Sequence, residues 1–521
     1  GGGRRAGGAA RSGLTGATLL LAARLSAGCT TFAVTSGASA DGSVLSAHSK
    51  DWGCDPFPYG SMALVPAADY TLLSKRKVQG GTIPQVLHTY KYITEGYAAM
   101  NEHQVGVAES TCWEKPFPGA PKNLGILSIV DLSKILLERA SNALEGVMLV
   151  GALAEKYGFN DQGESLLITD ATEVWLFHIL RSPEAVGAVW AAQRVPDGGV
   201  AVVSNAFTLR TLNLGSADVR SSSNIVDAAR AVNASFDEVG SFDFAATFGQ
   251  GEGQKRFQAG RRMWRAYDLL VEANFSAEYD DFASDKPYPP FVMAPLASVT
   301  LAAGFRVMRD FYSGTPYALD TGLAAGLGRS PERWLFHVRG KAVAWDRPIS
   351  GAHVCLSWVA QARAWLPDGI GGVVHFSPNA PHGGTYVPLA VGMTRLPACV
   401  TTGAQYYTVD RWSLSWATRY LYQILQIKFD RAYPQFQTVR DAFEAESASL
   451  IKDLEAQYHG PGDAGVLNDR LGARAAAAVA WLWAQSDAII AAVANNQGGY
   501  REDWLEAVGA IKPHAMAGEW I

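Results

Sequence analysis

The sequence predicts a layered α+β protein. Three observations carry this: strand-type and helix-type segments come in blocks without regular βαβα alternation, 48% of the 521 residues are hydrophobic and 18% charged, and 53 glycines and 24 prolines punctuate the chain. Such a composition excludes a disordered tail protein or a long coiled coil. Thr30–Ser36 and Ser43–Ser49 are β-type runs around the turn-forming stretch 37–42 and read as a hairpin. Further strands are expected at Ser61–Pro66, Val86–Ile93, Val105–Glu109, Ser165–Thr169, Glu173–Ile179, Ala188–Arg194 and Val200–Ser204. Leu132–Tyr157 reads as one helix, capped by Asp131 and stopped by Gly158. Helices follow at Ile225–Phe236, Arg261–Ala273 and Val299–Phe311, then strands at Trp334–Trp345, His353–Trp365 and Gly371–Phe376. From about Trp412 helix dominates, and the apolar stretch Ala475–Ala494 reads as a buried amphipathic helix, because Gln485, Ser486 and Asp487 interrupt it.

Forty-four Lys+Arg against 49 Asp+Glu give a net charge of -5 with no long run of one sign, so nothing favours nucleic acid as a partner. Five cysteines without a C-x-x-C pair make neither a disulfide framework nor a cysteine zinc site. Arg4, Arg5 and Arg11 precede a short apolar run, Leu14–Leu25, and the small residues Ser26 and Gly28. That order predicts a secretory leader over residues 1–28 cleaved after Gly28, with Cys29 becoming the first residue. Sequons at Asn233 and Asn274 are compatible with secretory passage.

Absences narrow the chemistry. There is no H-E-x-x-H, no G-x-x-x-x-G-K-[ST], no G-x-S-x-G and no G-x-G-x-x-G after a strand. The Gly249–Gly253 stretch reads as a surface loop, and His375 and His382 as two loop histidines. Cys29 is different. A cysteine released as the first residue carries its own base, since an α-amine of pKa about 7.7–8.0 is partly neutral near pH 7. The amine takes the thiol proton while the sulfur attacks a carbonyl, so no catalytic histidine is required.

The stretches Cys29-Thr-Thr-Phe-Ala-Val34, Ala38-Ser-Ala-Asp-Gly-Ser43 and His48-Ser-Lys-Asp-Trp52 resemble the opening of the dipeptidase family of N-terminal-nucleophile (Ntn) cysteine peptidases, which contains PepD-type dipeptidases and secernins. Later blocks extend the resemblance: Asn101-Glu-His103 with Glu109-Ser-Thr111, Leu136–Ala140, Val195-Pro-Asp197 with Ser204-Asn205, Arg309–Thr315, and Trp365–Asp368 with Gly371-Gly372. It implies an αββα four-layer sandwich with the nucleophile opening a central strand, and hydrolysis of dipeptides through a thioester on Cys29 without metal or other cofactor. Asp51 matches the family's acidic residue after the first hairpin, implying a carboxylate that orients the amine; as a residue it reads equally as a hairpin-end cap. Asn205 matches a position that in related amidases helps hold the oxyanion, the alternative being a turn-forming Asn. Glu109 and Thr111 lie where related amidases place a second oxyanion donor or a substrate contact. Ser49-Lys50 departs from the Asn-Glu often found before the Asp, which bears on substrate preference.

The expected organisation is a leader over 1–28, a peptidase domain over 29–411 and an appended helical region over 412–521. The expected protein is secreted or lumenal, lysosomal and vacuolar destinations included. It has a short peptide as substrate and no membrane span, and a homo-oligomer is compatible with the sequence. Competing readings are an Ntn acylase acting on a non-peptide amide, a lipid-anchored binding protein with Cys29 acylated, and a secernin-like protein without peptidase activity. Arg210, Arg261 or another cation remains open as the receiver of the substrate carboxylate.

Overall fold

The computed structural model describes residues 29–51, 60–232, 241–250, 259–272, 291–325, 328–338, 341–403 and 408–495, without side chains at 241–242 and 333–344. The expected leader, both sequons, most of Gly249–Gly253 and the last 26 residues lie outside the described residues. Numbering the strands of the two main sheets in chain order gives β1 (Thr30–Val34), β2 (Val44–Asp51), β3 (Ala63–Val65), β4 (Tyr92–Thr94), β5 (Ala98–Asn101) and β6 (Gly106–Thr111). There follow β7 (Glu164–Thr169), β8 (Val174–Arg181), β9 (Ala188–Arg194), β10 (Val200–Val203) and β11 (Val219–Ser221). The last are β12 (Val354–Ala362), β13 (Val373–Pro378) and β14 (Val387–Ala390). The principal helices are α1 (Ile129–Arg139), α2 (Ala143–Tyr157), α3 (Arg261–Val271), α4 (Leu301–Met308), α5 (Leu414–Leu425), α6 (Phe429–Gln457) and α7 (Ala464–Ala494).

Among the described residues one sheet runs β10-β1-β2-β12-β13-β14 and the other β11-β9-β8-β7-β6-β5-β4-β3, every neighbour antiparallel. The sheets meet where β1 and β2 cross β6 and β7. Strand side chains alternate faces, and here both faces are buried. Ala33, Val44 and Trp358 point between the sheets, whereas Phe32, Val34, Leu45 and Ala47 point outward onto Met263, Trp264 and Met308 of α3 and α4. On the other sheet Leu167 and Leu176 point inward while Leu166, Ile168 and Phe177 pack on Leu132, Leu136 and Val147 of α1 and α2. That two-sided burial is why these strands read as near-continuous apolar runs. The C-terminal helices α5, α6 and α7 pack at the β13–β14 side and share one core with the six-stranded sheet.

Two expectations need correction. The single helix over Leu132–Tyr157 is two helices. Ser128 caps the first in a reciprocal box with Asp131, and Asn142 caps the second by accepting from the Glu145 N–H at 2.9 Å, so Ser141-Asn142 is a break. His375 and His382 are not loop histidines at the surface. His375 lies in β13, and His382 is enclosed beneath Tyr422 and Phe429 with Nδ1 2.8 Å from Ser350 Oγ. The Gly and Pro residues around them mark a strand end and a short turn under α5, not a solvent loop. Helix α7 with its leading turn is long and apolar enough to cross a membrane by length and composition alone. Leu467, Leu471, Ala475, Ala478 and Leu482 on one of its faces are buried, and it packs on α5 and β14.

Candidate active site

Cys29 directly precedes β1, and the register of the neighbouring strands decides what surrounds it. Against β2, Thr30 faces Ser49 and Thr31 faces His48, with the Thr30 N–H donating to Ser49 Oγ at 3.0 Å. On the other side Thr31 faces Val203, so Asn205, two residues past that strand, comes level with Cys29. From the opposing sheet β6 brings Glu109, Ser110 and Thr111 to the same point. The Ser110 hydroxyl donates to the Cys29 carbonyl at 3.2 Å and accepts the Asn205 N–H at 2.9 Å. Asn205 has φ 56°, the left-handed region that Asn tolerates better than most residues. Its Nδ2 donates to the Thr111 carbonyl at 2.7 Å.

Arg262, in the first turn of α3, ties this side together. It donates to the Cys29 carbonyl at 3.1 Å, to Thr30 Oγ1 at 3.0 Å and to Asn205 Oδ1 at 2.6 Å. Burial first, and then the Arg347 charge, pull its pKa down to about 9. A register shift between Lys50 and Asp51 interrupts the end of β2. There the buried Asp51 accepts from Arg347 and lies 3.7 Å from His353 Nε2. Burial raises Asp51 to about 6 against the pull of Arg347 and Arg262, and its charge is felt at Cys29.

The thiol faces a different environment. Cys29 Sγ donates to Glu109 Oε2 at 3.3 Å, and Thr111 Oγ1 donates to Glu109 Oε1 at 2.9 Å. His48 lies between carboxylates, Nδ1 2.9 Å from Glu95 Oε1 and Nε2 3.6 Å from Glu109 Oε2. Lys50 Nζ is 3.6 Å from Glu95 Oε2 and 5.4 Å from the Tyr97 ring centre. Burial and then the Glu109 charge push the Cys29 thiol up to about 12, so it is not ionised in advance at neutral pH. Burial works against a charged His48, yet Cys29, Glu109 and Glu95 hold its pKa well above the usual histidine value. Two carboxyls in such a place do not both ionise. Burial and the neighbouring Glu109 charge push Glu164 well up, whereas Glu109, for which burial is outweighed by His48, Glu164 and Thr111, is held below the usual carboxylate range.

The structure therefore brings Cys29, Asp51, Asn205, Glu109 and Thr111 into one buried site. Sequence reasoning missed His48, Arg262, Glu95 and Glu164. His48 shares an inward strand face with Val44, and Arg262 follows Arg261 at the start of α3; neither position marks its residue as part of a site. The two arginines considered for the substrate carboxylate are engaged with carboxylates, Arg210 at 3.4 Å from Asp243 and Arg261 at 2.6 Å from Asp346. Donor atoms of Cys29, His48 and Glu109 all lie within 4.8 Å of one another, a set able to hold a metal ion. A cavity of about 1030 Å³ lies elsewhere, between α3, α4 and α6.

The profile of peptidase family C69 matches residues 28–442. A probable dipeptidase of Salmonella dublin is 24% identical over 384 residues, covering 70% of this chain and 81% of that protein. Dipeptidase A of Lactobacillus helveticus is 23% identical over 451 residues, covering 82% of this chain and 87% of that protein. Among solved structures, penicillin V acylase from Agrobacterium tumefaciens is 16% identical, covers 72% of this chain and 90% of that one, and has a TM-score of 0.29.

Proposed function

The chain belongs to peptidase family C69 and is a cysteine-type peptidase, and from that premise we propose that it hydrolyses dipeptides with a free amino end through a thioester on Cys29. The two stacked sheets with helices on their outer faces are read as the αββα sandwich of Ntn hydrolases. Residues 29–411 form the catalytic unit, and the helices beyond 412 are built onto its edge. Cys29 becomes the first residue when the preceding segment is removed in the secretory pathway, by signal peptidase or by self-cleavage.

The observation that carries the substrate assignment is the Glu109 carboxylate, buried and 3.3 Å from the sulfur. An anion beside a nucleophile opposes formation of a thiolate, so it costs reactivity unless substrate charge neutralises it. A dipeptide supplies that charge, because its ammonium is bonded to the carbon next to the carbonyl under attack. An N-acyl substrate does not. Since the thiol is not ionised in advance, proton removal accompanies attack, and the α-amine of Cys29 is within the same residue to accept the proton. Asp51 and the Arg347 pair beside it set the field around that amine. Asn205, held by Arg262, offers an amide N–H to the oxyanion. The amine then returns the proton to the leaving amino acid, and water releases the acyl group from sulfur.

The test is a parallel assay of free and N-acetylated dipeptides on protein sequenced to begin at Cys29. Hydrolysis of the free peptides, with N-acetylation lowering kcat/KM by more than about 100-fold, is expected. Preference for the acylated compounds would replace the dipeptidase reading with the acylase one. Cys29→Ala is expected to reduce hydrolysis to background while circular dichroism stays native.

A further inference from the structure

We infer that the thiol of Cys29, the imidazole of His48 and the carboxylate of Glu109 form a reversible inhibitory site for a thiophilic divalent cation, Zn²⁺ above all. The inference rests on the peptidase reading for its consequence, inhibition, but not for the metal binding itself. A tetrahedral zinc ion with a sulfur ligand at about 2.3 Å and oxygen or nitrogen ligands at about 2.0–2.2 Å sets its donor atoms roughly 3.3–3.7 Å apart. Here Sγ to Glu109 Oε2 is 3.3 Å, and Glu109 Oε2 to His48 Nε2 is 3.6 Å. The third pair, Sγ and the His48 nitrogen, lies within 4.8 Å.

A second observation points the same way. His48 is wholly buried, and its Nε2 stands 3.6 Å from the Glu109 Oε2 without closing a hydrogen bond among the described residues. A buried polar group left so is uncommon, and a cation bound at Nε2 satisfies it. The Glu95 carboxylate against Nδ1 is the kind of outer partner that fixes the orientation of a ligating histidine. Sulfur and imidazole donors select zinc over magnesium or calcium, which prefer all-oxygen sites. If Cys29 is the first residue, its amine supplies the fourth ligand and closes a five-membered chelate with the sulfur. Binding then displaces the thiol proton, the proton on His48 Nε2 and any proton on the amine into solvent, and removes the attacking atom and its base together. Loss of activity and proton release are one event.

The experiment treats the protein with EDTA, desalts it and titrates it with ZnCl₂ against a chromophoric chelator, in parallel with dipeptide hydrolysis. One equivalent is expected to bind, to release protons into weak buffer and to abolish hydrolysis, with EDTA restoring activity and MgCl₂ without effect. CoCl₂ should give a thiolate-to-cobalt charge-transfer band, a readout that needs neither activity nor a variant. His48→Gln and Glu109→Gln should weaken binding by at least about tenfold, and Cys29→Ala should remove the band. Stoichiometric zinc binding that survives Cys29→Ala, or full activity with one equivalent bound, overturns the site. Protein that binds cobalt through sulfur yet hydrolyses no dipeptide overturns the peptidase reading and sustains the site.

Discussion

Asp51 receives a guanidinium hydrogen bond from Arg347 with both side chains out of water, and the two hold each other in place. Removing one partner of such a pair takes the nearest opposite charge away from the other. Asp51→Asn is therefore expected to lower unfolding free energy by about 3–5 kcal/mol, read from urea denaturation. The double change Asp51→Leu with Arg347→Met should recover much of that, since neither charge is then buried alone. A loss in the double variant equal to the sum of the single losses would argue against the pair. Asn205→Ala removes the proposed oxyanion donor and should cost about 10²–10³-fold in kcat with little change in KM. At this scale the sequence made Cys29 legible through its place after the leader-like stretch, and Asp51 and Asn205 through family resemblance. His48 and Arg262 were not legible, because a lone histidine in a strand and an arginine in a helix carry no sign of which strand end they will face.

Helix α2 approaches the eight-stranded sheet through Gly151 and helix α1 through Gly146. A Cβ on Gly151 would lie 2.4 Å from Trp190 Cζ2. That indole is anchored, stacked on Phe177 and donating to Glu155 Oε1 at 2.8 Å. Gly151→Ala gains about 0.5–1 kcal/mol of helix preference but overpacks a rigid contact at about 1–3 kcal/mol, so a net loss near 1–2 kcal/mol is expected. An increased melting temperature would refute the close approach. The strands were legible because their apolar runs are bounded by Gly, Asp and Pro clusters, as with Ala188–Arg194. The break between α1 and α2 was not, since Ser141-Asn142 falls inside a long helix-forming pattern and shows itself only through the cap it makes.

Over the whole molecule, burial has trapped several histidines in the neutral form. His178 accepts the Thr208 N–H at Nε2, 2.9 Å, and faces Ser165 Oγ at Nδ1, 2.7 Å; burial lowers its pKa to about 3, as it does for His375 and His382. A depressed histidine favours the folded state fully above its unfolded value of about 6.5. Below that the unfolded chain takes up the proton first, and the contribution falls by about 1.4 kcal/mol per pH unit for each group until the folded value is reached. Glu332, raised by burial to about 7, acts in the opposite sense. The clean measurement is the stability gap between wild type and His178→Gln, expected to narrow as pH falls from about 7 to 5; a constant gap would mean that His178 titrates normally. The layered architecture followed from block order in the sequence, but the outermost strand β14 did not, because Pro388 in its middle argues against a strand. That strand has a wider consequence. It forms one border of the six-stranded sheet, and α6 and α7 lie across it. A chain cut short near residue 411 would bare unpaired backbone and oily side chains together, inviting sheet-to-sheet growth between molecules, so the helical tail doubles as insurance against self-association and its removal should yield precipitate.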